Sequence, residues 1–179
     1  MELWDLYTKD RVKTGQTMIR GEKMPENLYH MVVHACVFNK KGEMLIQQRQ
    51  PFKSGWSNMW DITMGGSATA GDSSQTAVER ELREELGLAI SFEGIRPAMT
   101  IHQEDGFDDI YVIEHEVDLT ALKLQYEEVQ AVKWACQEEI MEMIEEGTFI
   151  PYHKSVIELL FFLRNHKGLH TRKDDTQKC

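Results

Sequence analysis

The chain has 179 residues, 41% of them hydrophobic, enough to close one domain around a proper core. Its 20 Lys and Arg against 30 Asp and Glu give a net charge of −10. That balance argues against a nucleic-acid polymer as partner, but not against a nucleotide or diphosphate, because a bound cation reverses the local field. The three cysteines, Cys36, Cys136 and Cys179, lack the spacing of a disulfide framework or a zinc site. The opening run MELWDLYTKD has no basic region followed by an apolar one, and no stretch approaches the roughly 18 apolar residues of a membrane span. No membrane partner is expected, and the cytoplasm is the expected compartment.

In chain order, Leu3–Tyr7 and Val12–Ile19 flank the polar turn Thr8-Lys9-Asp10-Arg11 and predict a hairpin. Arg20–Asn27 is a polar connection. Tyr29–Phe38 (YHMVVHACVF) is apolar on both faces, as in a strand buried within a sheet. Asn39–Gly42 turns into a second strand, Met44–Arg49. Gln50–Met59 reads as a loop carrying Pro51, Gly55 and Trp56, and Trp60–Thr63 as a short strand. The Gly-, Ala-, Ser- and Thr-rich stretch that follows reads as a loop, with Asp72 or Ser73 as helix N-cap. From Ser74 the apolar residues Ala77, Val78, Leu82 and Leu86 keep helical spacing, and Gly87 supplies the left-handed residue that ends the helix. Beyond it, Ile90–Gly94, Arg96–His102, Ile110–Val117 and Val129–Ala135 read as strands. Gln137–Glu146 and Tyr152–Asn165 read as helices. The segment Val156–Leu163 (VIELLFFL) is too apolar for solvent, so it either packs into the domain or forms a homodimer contact. Residues 1–166 are expected to form a single domain and 167–179 a disordered polar tail. The class is α/β, a mixed sheet with helices on both faces.

Chemistry enters with the acids of the first helix. Glu81, Glu84 and Glu85 stand at i, i+3 and i+4 on one face, in the half of the helix where the dipole disfavours anions. Each like-charged pair costs about 0.2–0.5 kcal/mol in an isolated helix. A hard divalent cation such as Mg²⁺ or Mn²⁺ relieves both penalties. Three Glu alone fit an ordinary solvated face, balanced by Arg80 and Arg83, better than a metal site.

The whole pattern tips the balance. Gly66-x5-Asp72-x7-Arg80-Glu81-Leu82-x-Glu84-Glu85-x-Gly87-Leu88 resembles the Nudix box, G-x5-E-x7-R-E-U-x-E-E-x-G-U with U apolar. It departs only at Asp72, where the family has Glu. Chance would produce such a match on the order of once in a hundred thousand chains of this composition. The hairpin, the Tyr29–Phe38 strand, the loop GWSNMWDI and the closing EEVQAVKW are similar to the Nudix branch related to isopentenyl-diphosphate isomerase.

The resemblance implies the Nudix α/β/α sandwich and Mg²⁺- or Mn²⁺-dependent hydrolysis of a small organic diphosphate. It implies Glu84 and Glu85 as metal ligands, Glu81 as a further ligand or general base held by Arg80, and the Gly65 carbonyl completing the metal shell. Gly66, Arg49 and Trp56 are the candidate substrate contacts, with Phe52 and Trp60 as further candidate walls, and Glu127 or Glu128 is a candidate extra ligand or base. Asp108, Asp109, His30 and His34 are weaker candidates, His30 because isomerases carry a metal-binding His at the similar position. Isomerase chemistry is the alternative, but it implies a catalytic Cys just before the box, and Trp56–Thr63 contains none. A non-catalytic binding domain, the other alternative, usually carries a broken box.

Overall fold

The computed structural model describes residues 2–166, 168 and 170. Its elements run β1 (Leu3–Tyr7), β2 (Lys13–Ile19), β3 (His30–Phe38), β4 (Met44–Arg49), β5 (Trp60–Asp61), β6 (Met64–Ser67), α1 (Ser74–Leu86), β7 (Met99–His102), β8 (Gly106–Glu114), β9 (Val129–Ala135), α2 (Gln137–Glu146) and α3 (Lys154–Asn165). A one-turn 3₁₀ segment covers Leu119–Ala121.

Strands β1 and β2 form the N-terminal hairpin, a separate antiparallel pair. The other seven make a mixed sheet organised on β3. One edge of β3 runs parallel to β8 along its whole length, from His30 opposite Gly106 to Phe38 opposite Glu114. Its other edge is divided. Strand β6 pairs antiparallel over Val32–Ala35, whereas β4 meets β3 only at Phe38 opposite Met44. From that single pair the two strands diverge, and β4 continues with β5 and β9 as partners. The sheet therefore opens into two arms.

Alternation along β3 explains why both faces are covered. Met31, Val33, Ala35 and Val37 point to one side, where Ala77, Val78, Leu82 and Leu86 of α1 pack with Phe92 and Tyr111. Cys36 and Phe38 point to the other, against Ile140 of α2 and Ile157 and Leu160 of α3. Each fully buried aliphatic side chain contributes roughly 1.5–3 kcal/mol. Ile157 and Leu160 of α3 are thus buried inside the domain, with Phe161 edge-on to Phe38 at 5.0 Å.

Several boundaries depart from the sequence reading. Gly65, Gly66 and Ser67 are strand, not loop, because pairing with β3 outweighs the weak intrinsic preference of glycine. Ile90–Gly94 is not a strand. Its fully buried Phe92 plugs the core edge-on to Tyr111 at 5.2 Å, and the Glu79 carboxylate accepts from the Phe92 N–H. Strand β7 starts at Met99, past Pro97. Strand β8 spans Gly106–Glu114 rather than Ile110–Val117, and so takes in Asp108 and Asp109. Asp109 is tolerated there because Arg11 grips both its oxygens at 2.7 and 2.8 Å and Thr100 donates at 2.6 Å. The last helix starts at Lys154, capped by the His153 side chain, rather than at Tyr152. The expected tail falls on residues outside those described, 168 and 170 excepted. Among the described residues no helix is long and apolar enough to cross a membrane.

Candidate active site

The gap between the two arms is a cleft of about 550 Å³. Val32, His34, Gly65 and Asp108 line it from the β3–β6–β8 arm, Arg49 and Asp61 from the β4–β5 arm, and Glu81, Glu84 and Glu85 from α1.

Local sequence places the helix acids. Helix α1 starts on Ser73, whose hydroxyl accepts from the Thr76 N–H while Thr76 Oγ1 accepts from the Ser73 N–H. Gly87, at φ 67, ends it. Asp72 therefore is not the N-cap: it lies one residue outside, and its carboxylate is taken by Arg80 (3.1 Å) and by the Thr69 N–H and hydroxyl. Arg80 also donates to the Ser67 carbonyl at 3.1 Å, Glu81 at 3.0 Å and Glu84 at 3.2 Å. One guanidinium thus ties the loop, β6 and two of the three acids together.

The box glycines make room. A Cβ at Gly66 would sit 2.4 Å from the Glu81 carboxyl carbon, and one at Gly65 would sit 2.6 Å from His34 Nδ1. Only glycine leaves room for the Glu81 carboxyl and the His34 ring where they stand against this strand.

The three acids differ. Glu85 is buried on the core face of α1 and accepts one hydrogen bond, from Gln47 at 3.2 Å. Burial, reinforced by Glu81 nearby, pushes its carboxyl up to about 8. Burial also raises Glu81, against the pull of Arg80. Glu84 is half exposed and shares Arg80 with Glu81. As placed, no three His, Cys, Asp or Glu side chains among the described residues are gathered around one point able to hold a metal.

On the opposite wall stand Arg49, Lys53 and Trp56. Arg49 donates to the Gly55 carbonyl and, among the described residues, has no carboxylate partner. Glu128 lines the cleft, paired with Lys53 at 2.5 Å, whereas Glu127 is exposed and outside it. At the far end His34 Nε2 lies 3.6 Å from Asp108, and Tyr152 donates to Asp61 at 2.8 Å. His30 is elsewhere, stacked on Trp4 at 4.2 Å. Cys36 is fully buried in the core beneath α2 and α3, where burial pushes its thiol up, and it does not line the cleft.

Gln47, Lys53, Asp61 and Tyr152 escaped the sequence reading. Gln47, on the same face of β4 as the buried Leu45, carried a readable signal; Lys53 and Tyr152 sit in loops and Asp61 in a two-residue strand, with none.

A family model described as the NUDIX domain matches residues 28–160. A Nudix hydrolase of Listeria monocytogenes is 45% identical over 170 residues, 95% of this chain and 99% of that one. An isopentenyl-diphosphate Delta-isomerase of Shigella flexneri is 26% identical over 150 residues, 78% of this chain and 80% of that one. In fold, the DR0079 protein of Deinococcus radiodurans superposes with a TM-score of 0.67 at 22% identity, over 89% of this chain and 97% of that one. With the box glycines, Arg80 and the helix acids assembled on one cleft, the chain belongs to the Nudix hydrolase family.

Proposed function

We propose that the protein cleaves a diphosphate linkage in a small organic diphosphate, with Mg²⁺ or Mn²⁺ held by Glu81, Glu84 and Glu85 and by the Gly65 carbonyl. The observation that carries this reading is Glu85: a buried carboxylate with one amide hydrogen bond and no cationic side chain beside it. Such a group stays neutral or takes a cation, and the surrounding donors are oxygens, as a hard divalent ion requires. When bound, the metal screens the diphosphate charge and lowers the pKa of a bound water.

This chain's own residues do the rest. Arg80 fixes Glu81 and Glu84 at the cleft wall. Glu81, less buried than Glu85, orients the attacking water or takes its proton. Arg49, which makes no ion pair among the described residues, receives phosphate oxygens, with the Gly66 backbone lining the same cleft and Trp56 at the rim. Glu128, held by Lys53, is the additional ligand or base, and Glu127 is not. Residues 1–166 act as one unit, in the cytoplasm. The acid-lined cleft and the net charge of −10 disfavour a nucleic-acid polymer.

The isomerase likeness supplies the second reading, yet the cysteine nearest in sequence, Cys36, is fully buried in the core and does not line the cleft. Assaying purified protein against a panel of organic diphosphates with Mg²⁺, Mn²⁺ or EDTA tests the proposal. Metal-dependent release of monophosphate products is expected; full turnover in EDTA would overturn it.

A further inference from the structure

Resting on the metal-dependent reading above, we propose that Gln47 is a positioning residue. Its side-chain amide sets the Glu85 carboxylate for a hard divalent cation and, being uncharged, leaves the whole negative charge to that cation. Gln47 is 3% exposed and does not line the cleft, so it acts only through Glu85.

Glu85 is held at two points. The Gln125 N–H donates to its backbone carbonyl at 2.8 Å, and Gln47 Nε2 donates to its Oε2 at 3.2 Å. Glu85 itself lines the cleft. One carboxylate oxygen is therefore tied, and the other remains for a ligand.

This bond also joins two parts of the fold. Helix α1 packs its apolar residues against β3, whereas Gln47 stands on β4, beyond the single pair, Phe38 opposite Met44, that links the two strands. By that point β4 is paired with Asp61 of β5 and Val132 of β9. Gln47 thus connects a helix acid to the arm that carries Arg49 and Asp61.

The unused half of the amide shows what the residue is for. Gln47 Oε1 is buried and, among the described residues, accepts no hydrogen bond. A carbonyl shut away from water without a donor destabilises a fold. An apolar side chain, like that of the fully buried Leu45 on the same face of β4, would avoid that loss. What Gln supplies and Leu or Met does not is the N–H on Glu85.

Its neutrality matters equally. Glu81 and Glu84 share the Arg80 guanidinium at 3.0 and 3.2 Å, whereas Glu85 has no cationic partner among the described residues. A Lys at position 47 would also hold the carboxylate, but it would cancel the charge that a metal needs.

The test is Mn²⁺ binding to the full chain without substrate, read from the electron paramagnetic resonance signal of the free ion. Gln47→Met keeps the length and removes the donor, and should weaken binding at least about tenfold. In a Glu85→Gln background the same substitution should change affinity by less than about twofold, because its partner is already gone. Gln47→Lys, which keeps a donor and adds a charge, should bind Mn²⁺ more weakly than Gln47→Met. Circular dichroism checks the fold of each variant, and Gln47→Leu stands in should Gln47→Met not fold. Equal losses in the two backgrounds, or wild-type affinity in Gln47→Lys, would overturn the positioning role alone. Wild-type protein that binds no Mn²⁺ would overturn the metal reading and this inference with it.

Discussion

The missing side chain of Gly66 is the space that the Glu81 carboxyl occupies: a Cβ there would lie 2.4 Å from the Glu81 carboxyl carbon. The obstructed atoms are the far end of a flexible side chain, not backbone. Gly66→Ala should therefore cost little stability, within about 1 kcal/mol, while turning Glu81 out of the cleft. Activity should fall at least about tenfold, measured as kcat/KM alongside a melting curve. A variant that melts early and keeps its activity would contradict this.

Glu85 makes metal-free stability depend on pH. Its carboxyl is raised from 4.5 to about 8 in the fold, so it favours folding fully below about 4.5, and that contribution is lost as pH rises through about 8. The ceiling is about 5 kcal/mol at roughly 1.4 kcal/mol per unit. In EDTA, Glu85→Gln should melt above wild type at pH 9, and the gap should close toward pH 5, because the amide cannot charge. Mg²⁺ at pH 9 should raise the melting temperature of wild type and not of the variant. A constant gap across this range in thermal scans would show that Glu85 does not titrate this way. Glu84→Gln and Glu85→Gln should each lower kcat at least about a hundredfold.

Asp72 and Ser73, adjacent in sequence, should fail differently. Ser73→Ala removes the helix cap and should cost about 0.5–2 kcal/mol with kcat near wild type. Asp72→Ala leaves Arg80 without its loop partner and should lower kcat about tenfold, while Asp72→Glu, which keeps the carboxylate, should be tolerated. Denaturant curves and steady-state kinetics on the three proteins separate the two roles. Equal effects on stability and none on kcat would return Asp72 to a capping function.

Replacing all three cysteines by Ala should leave diphosphate hydrolysis within about threefold, roughly 0.7 kcal/mol in barrier. Cys36 is sealed in the core and does not line the cleft, with its thiol pushed up by burial. Isopentenyl diphosphate in deuterated water should take up no deuterium. Uptake that vanished on replacing Cys36 would restore the isomerase reading.

Local pattern carried most of the architecture. Met44–Arg49, Val129–Ala135 and Gln137–Glu146 were legible to the residue, because strand alternation, helical period and a terminal glycine are written into neighbouring positions. The sequence by itself also determined the family, since the box fixes Gly66, Arg80 and the three helix acids at set intervals along one helix and its approach. It could not determine which acid is desolvated. Glu81, Glu84 and Glu85 look alike in the chain, and only packing buries Glu85 against Gln47 while leaving Glu84 half exposed. Nor could it assign Asp61, Tyr152 and Lys53 to the cleft, place Glu128 inside and Glu127 outside, or make strand of the box glycines. Those facts depend on the divergence of β4 from β3 after a single pair and on contacts between residues tens of positions apart. Such contacts form through burial and pairing across the sheet, and no local periodicity encodes them.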